Sequence, residues 1–255
     1  MGVVSDEVRL VALRGIPLVG PGDDLAALVG AAAARQGIRL AGGALVICQK
    51  VVSKAENRIV RLADVTPSEQ ALRIAAEDDK DPRQVEVVLR ETVRIVRRGH
   101  RVLISETRHG FVCANAGVDL SNAPGEDVAV LLPEDADASA RRLRDAWLAG
   151  APAETALAVI VSDTFGRPWR EGLVDVALGS AGLAPVSDAR GSADLAGREL
   201  QVTTMATVDQ LAAAAGLLME KNSGVPAVWI EGVAVTGEGS VARDLLREPS
   251  QDLFR

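Results

Sequence analysis

The sequence predicts an α/β protein built from mixed sheets with flanking helices, with α+β as the remaining alternative. Three observations carry this. Short, mainly apolar runs at residues 44–52, 156–162 and 227–230 have the character of buried strands. Helical segments with explicit start and stop signals stand between them. No internal repeat or low-complexity linker interrupts the 255 residues. The chain therefore reads as one domain, 1–255, or at most two interleaved subdomains meeting at the polar stretch 133–137.

In order, residues 8–13 predict a first strand, and the loop 14–23 carries Gly15, Pro17, Gly20, Pro21 and Gly22. Residues 25–36 are alanine-rich and helical, closed by Gly37. The apolar run 44–52 is a strand. Thr66-Pro67-Ser68-Glu69 has a capping threonine, proline at the first helical position and glutamate where a capping box wants it. Asp81-Pro82-Arg83-Gln84 repeats that chemistry ahead of 85–92. Strand-like runs follow at 93–96, 101–105 and 128–132, then a helix over 137–148. The strand 156–162 ends in Asp163. Residues 173–181 are compatible with a helix, 199–204 are strand-like, 208–219 form an amphipathic helix, and 227–230 are a last buried strand. The charged tail 243–255 belongs on the surface.

Composition narrows the function. Net charge is −7 with acidic and basic residues interspersed, which lacks the cationic footprint of a nucleic-acid partner. Aromatic residues make up 2% with no tyrosine, so stacking platforms for bases are missing as well. Two histidines do not make a multi-histidine zinc site. Cys48 and Cys113 lack metal-type spacing and read as buried small hydrophobes rather than a disulfide. No apolar run approaches the roughly 20 residues of a membrane span. Residues 1–9 lack a signal pattern, so the expected compartment is the cytoplasm.

Common motifs fail. The Walker phosphate loop and the Gly-x-Ser-x-Gly elbow are absent. Gly237-Glu238-Gly239-Ser240-Val241-Ala242 matches the loose dinucleotide fingerprint, but no βαβ unit fits after it. Three constellations survive. In Ser162-Asp163-Thr164-Phe165-Gly166-Arg167-Pro168-Trp169-Arg170, a buried strand delivers a carboxylate and a hydroxyl, hard oxygens suited to Mg²⁺ or Mn²⁺. Arg167 and Arg170 can pair with phosphate or carboxylate. A turn with a capping Asp or Thr explains the same residues equally well. Asn115-Ala116-Gly117-Val118-Asp119-Leu120-Ser121-Asn122 could add a second metal ligand, though such a loop is more often an Asx-rich turn. Gln49-Lys50-Val51-Val52-Ser53-Lys54 places lysines after a strand. They could neutralise phosphates, or be ordinary surface lysines.

Taken in order, these segments resemble the F420-0:glutamate ligase family. The likeness rests on Gly15-Ile16-Pro17-Leu18-Val19, on Gln49-Lys50-Val51-Val52-Ser53-Lys54-Ala55-Glu56 and on Ala116-Gly117-Val118-Asp119-Leu120-Ser121-Asn122. It continues through the Asp163-Thr164 segment, Val208-Asp209-Gln210-Leu211-Ala212 and Gly224-Val225-Pro226, and so spans nearly the whole chain. It is a likeness to the stand-alone form, without the fused C-terminal reductase-like domain of actinobacterial relatives. The resemblance implies a GTP-dependent ligase that adds L-glutamate to the lactyl carboxylate of coenzyme F420-0, and then a γ-linked glutamate, through an acyl phosphate. It implies an uncommon α/β fold in an intertwined homodimer, two Mg²⁺ or Mn²⁺ ions, and a potassium ion as a further cation.

By the same resemblance, Ile16, Pro17, Leu18 and Val19 lie on the nucleotide together with Gln49, Asn122 and Lys221. Lys54 contacts its phosphates. Asp119, Asp163 and Thr164 hold metal, and Asp119, Asp163 and Lys54 form the catalytic set. Two positions depart from the family pattern. Gln49 stands where relatives often carry serine. Lys221 stands where they often carry a glutamine, and a charged ammonium cannot ligate a cation, which leaves either Glu220 as a substitute donor or one metal held differently. The departure at Lys221 keeps open a ligase for a different carboxylate acceptor. A non-catalytic nucleotide-binding protein of the same fold is the reading from another class.

Overall fold

The computed structural model describes residues 6–123, 125 and 127–253. Residues 1–5, where the signal pattern was judged absent, and the last two residues of the charged tail lie outside them. Along the chain, β1 (Arg9–Ala12) leads through an irregular loop into α1 (Leu25–Arg35), and β2 (Gly43–Cys48) runs straight into α2 (Gln49–Ala55). Next come β3 (Ile59–Arg61), α3 (Glu69–Asp78), α4 (Pro82–Glu91), β4 (Thr92–Gly99), β5 (Val102–Thr107), β6 (Val112–Ala114) and β7 (Val128–Val130). α5 (Ala136–Leu148) precedes a long hairpin of β8 (Leu157–Arg167) and β9 (Arg170–Ala181). The remainder holds β10 (Val186–Asp188), β11 (Thr204–Ala206), α6 (Thr207–Gly216), β12 (Ala227–Glu231) and the single-turn α7 (Val241–Asp244).

The expected α/β class with mixed sheets is what the chain adopts. A five-stranded sheet runs in the order β1-β12-β2-β8-β9, with β2 and β8 parallel and the other neighbours antiparallel. Residues 44–47, 157–161 and 227–230 have essentially no exposed area. Strands covered on both faces need apolar side chains at every position, which is why these runs do not alternate. A second apolar cluster gathers Leu62, Ile74, Val85, Leu103, Val118 and Leu131 from α3, α4, β5 and the loops around β7. That cluster carries Asp119 in from the crossover between β2 and β8. Among the described residues no helix is long and apolar enough to cross a membrane.

Several local signals act as read. Gly37 follows α1 at φ +69°. The other end of α1 is capped by Asp24, which accepts the Ala27 N–H and was not among the expected caps. Asp81 caps α4 with Pro82 at its first position. Cys48 and Cys113 are free thiols, raised to about 11 and about 12, chiefly by burial and then by the Asp163 charge.

Other expectations are corrected. Residues 173–181 are strand, not helix. Leu173, Val176 and Ala177 fit helical spacing, but the extended second half of β8 needs a partner and β9 supplies it residue for residue. The strand expected over 44–52 stops at Cys48, because Val51 and Val52 fit a helix face as well as a strand. The α3 cap is Ser68, whose hydroxyl accepts from Ala71 N. The Ser68 N–H is taken by Glu86 from α4, so a tertiary partner replaces Glu69 in the capping box. Strand β8 continues past Asp163 to Arg167. The strand near 199–204 is β11, starting at Thr204 and paired with β10, while Glu199 makes only an isolated bridge to Ala193. Helix α6 ends at Gly216, short of 219.

One buried carboxylate fastens three elements. Asp137, in the first turn of α5, accepts from Ser180 N of β9 at 2.8 Å, Val241 N at 2.9 Å and Ala242 N at 3.0 Å. Gly179 permits the approach, since a Cβ there would lie 2.1 Å from the carbonyl carbon of Ala136. Asp137→Ala strands these donors and should lower unfolding free energy by about 2–4 kcal/mol. Urea denaturation checks this, and a loss below about 0.5 kcal/mol would contradict the anchoring role.

Candidate active site

The site begins with backbone direction. Because β2 and β8 are parallel, with Cys48 opposite Ser162, the carboxyl end of β2 lies beside the point where β8 leaves that pairing. Strand β2 turns there into α2, placing Lys50 and Lys54 on successive turns of that helix. Strand β8 carries on as a two-stranded arm with β9, so Asp163 and Thr164 stand where it leaves β2. Ligands collect at such ends in α/β sheets.

Asp119 arrives from the second cluster, held by a bridge to Val130. Its carboxylate forms an ion pair with Lys50 at 2.6 Å. It also accepts from Ser121 N at 2.7 Å and Ser121 Oγ at 3.0 Å, and Lys50 Nζ donates to Ser121 Oγ at 2.7 Å. Burial opposes the Asp119 charge, but Lys50 and the two Ser121 donors outweigh it and hold the carboxyl below its ordinary value. Asp163 keeps some exposed area, yet protein surrounds it closely. Burial pushes it up to about 6, Asp119 and Asp175 add repulsion, and the Thr164 N–H and Lys50 only partly compensate. Thr164 is exposed and donates its hydroxyl to Asp175 Oδ1 at 2.7 Å. Burial raises Asp175 as well, against that same bond.

Lys54 lies buried one turn beyond Lys50, its pKa lowered first by desolvation and then by the Lys50 charge. The lysine that touches Asp119 is Lys50. Gln49 is interior, its amide nitrogen donated to Ser53 Oγ at 2.6 Å and Leu131 O at 2.9 Å. Asn122 and Lys221 meet, Asn122 Nδ2 donating to the Lys221 carbonyl at 3.3 Å. The loop with Ile16, Pro17, Leu18 and Val19 is tied to the end of α2 through Gly22 N and Ala55 O at 3.0 Å. Within it Val19 is buried and Leu18 fully exposed.

Reading the residues alone missed two members of this group. Asp175 lay hidden in the stretch read as helical; its signal is the position directly opposite Thr164 once 170–181 is recognised as a strand. Lys50 was present in the motif, but only helical geometry distinguishes it from Lys54.

Among the described residues, no three His, Cys, Asp or Glu side chains close into one coordination shell. The chemistry nevertheless fits a hard divalent cation. Asp119, Asp163 and the Thr164 hydroxyl are all oxygen donors, and the Asp163 charge is left undercompensated by Lys50.

The fold and site therefore define a mixed α/β protein that gathers carboxylates and lysines where β8 leaves β2. The sequence pattern of the F420-0:Gamma-glutamyl ligase family matches residues 15–232. The chain is 47% identical over 253 residues to the coenzyme F420:L-glutamate ligase of Methanothermobacter thermautotrophicus, covering 97% of this chain and 99% of that one. It is 46% identical to the protein of the same name from Methanopyrus kandleri, over 95% of this chain and 97% of the relative. Against that of Methanocaldococcus jannaschii the identity is 39%, over 84% and 85%. This chain belongs to the F420-0:γ-glutamyl ligase family.

The raised Asp163 carboxyl predicts a pH signature in metal-free protein. Its folded value of about 6 lies above the unfolded value of about 3.9, so the folded state binds the extra proton. Stability then falls as pH rises between those values, by on the order of 2–3 kcal/mol at full ionisation. In EDTA-treated protein Asp163→Asn should gain about that much over wild type at pH 7.5 and nothing at pH 4. Denaturant titrations at the two pH values measure it. A variant no more stable than wild type at pH 7.5 would show that the charge is already compensated.

Proposed function

We propose that this chain joins L-glutamate to the lactyl carboxylate of coenzyme F420-0, and then adds a γ-linked glutamate, at the expense of GTP. The observation that carries the reading is the convergence of Asp119, Asp163 and Lys50 where β8 leaves β2. The near full-length likeness to proteins named coenzyme F420:L-glutamate ligase supports it.

An amide does not form from a free carboxylate and amine at neutral pH without activation. In this reading the γ-phosphoryl of GTP passes to the acceptor carboxylate, releasing GDP. The glutamate amine attacks the acyl phosphate, phosphate leaves, and the amine gives up its proton. Such transfer depends on positioning and charge neutralisation rather than on a histidine base. Asp119, Asp163 and Thr164 would hold Mg²⁺ or Mn²⁺, which when bound neutralises phosphate charge. Lys54, its ammonium desolvated on α2, is suited to phosphate oxygens, and Lys50 offers a second positive charge one turn earlier. The loop Ile16, Pro17, Leu18 and Val19, together with Gln49, Asn122 and Lys221, is assigned to the nucleotide. The reading includes a potassium ion, an intertwined homodimer and a cytoplasmic location.

Purified protein given F420-0, L-glutamate, GTP and Mn²⁺ should release GDP only when acceptor and glutamate are both present. Mass spectrometry should show glutamylated product. Asp163→Ala and Asp119→Ala should each cut turnover about a hundredfold or more while the protein stays folded. Unchanged F420-0 would sink the specific claim. GDP release with another carboxylate instead would favour the second reading, a ligase of different acceptor, which the departure at Lys221 motivates.

A further inference from the structure

A hydroxyl offers its lone pairs to a cation when its hydrogen points away from that cation, and a fixed acceptor on the far side holds it so. Thr164 meets that condition, because Oγ1 donates to Asp175 Oδ1 at 2.7 Å. The pair is set by the backbone, since the two residues are directly opposite in the β8–β9 ladder. The carboxylate's place is prepared from a third side. Gly216, the last residue of α6, lies so close that a Cβ there would sit 2.1 Å from Asp175 Oδ2. The same helix is fixed to β9 two residues further on, where Asp209 Oδ1 accepts the Ala177 N–H at 2.9 Å. Strand, opposing strand and helix thus converge on one carboxylate oriented toward one hydroxyl.

We propose that Asp175 is a positioning residue that takes the hydroxyl hydrogen of Thr164 and leaves its oxygen lone pairs free for the divalent cation. The inference rests on the metal-dependent reading of Asp163 and Thr164 given above. Asp175 acts through Thr164, and its role is to fix a rotor that would otherwise turn freely on an exposed side chain. Gly216 belongs to the same device, as the gap that lets the carboxylate stand there.

The test is Mn²⁺ binding to the full-length chain, followed by the electron paramagnetic resonance of free Mn²⁺, with no turnover required. Asp175→Ala should weaken binding about tenfold or more. Asp175→Asn should recover most of the loss, because its amide oxygen still accepts from Thr164. Thr164→Val should weaken binding to a similar degree, and Asp175→Ala added to it should cost nothing further. Gly216→Ala keeps the carboxylate but displaces it, so it should resemble Asp175→Ala without removing any charge. Asp175→Ala within twofold of wild type would overturn the proposal. So would an Asp175→Asn as weak as Asp175→Ala, which would make Asp175 a direct ligand or a charge. Losses that multiply in the double variant would also overturn it. If the expected pattern holds while F420-0 stays unmodified, the proposed reaction fails and the positioning role stands. Normal glutamylation with Mn²⁺ affinity indifferent to Asp175 gives the reverse. Wild-type protein that binds no Mn²⁺ removes both.

Discussion

The parallel pairing of β2 with β8 is the constraint on which the rest of the site depends. With Cys48 opposite Ser162, any residue just beyond this pairing on either strand is delivered to the same place. What differs is how each chain leaves. β2 turns at once into α2, so its contribution is a helix turn bearing lysines. β8 continues in extended form, so its contribution is a carboxylate and a hydroxyl on successive positions of a strand. A parallel pair needs a long crossover, and here the crossover contains the second apolar cluster, which brings Asp119 to Lys50. Sequence separation between Lys50, Asp119 and Asp163 is thus a consequence of topology.

The charges at this place are unevenly matched. Asp119 has an ammonium at 2.6 Å and two Ser121 donors, and these outweigh its desolvation. Asp163 has one N–H and a more distant lysine, and desolvation wins. The protein therefore receives the charge of Asp119 more readily than that of Asp163. Lys54 is the mirror case, an ammonium held in the interior without a carboxylate among the groups that favour its charge. A site with an undercompensated anion and an undercompensated cation on neighbouring elements stores unfavourable electrostatic energy. Binding of a metal and a phosphate would relieve both. Perturbed groups of this kind mark functional sites more often than structural ones.

Legibility followed the range of the interaction that decides each feature. Signals that act within four residues, such as Gly37 and Asp81-Pro82, could be read directly, and so could strands buried on both faces. The cap at Ser68 could not, because Glu86 from another helix grips its N–H. Nor could β9, whose apolar spacing suits a helix until β8 stands beside it. The site divides the same way. Asp119, Asp163, Thr164 and Lys54 were marked by residue type and motif order. Asp175 and the contact of Lys50 with Asp119 exist only through a hairpin register and a helix turn placed against a distant loop.

The departure at Lys221 becomes intelligible in the same terms. Asn122 reaches the 219–222 loop through the carbonyl of Lys221, not through its side chain. Every residue type supplies that carbonyl, so the junction between the two loops survives a change of side chain at 221. The ammonium is left exposed. A neutral amide there could ligate a cation directly, whereas a lysine can meet only an anion. In the proposed reading, Lys221 would pair with phosphate or carboxylate at this corner rather than ligate metal. In the proposed reading, a cation held by Asp119, Asp163 and Thr164 would need no ligand from residue 221.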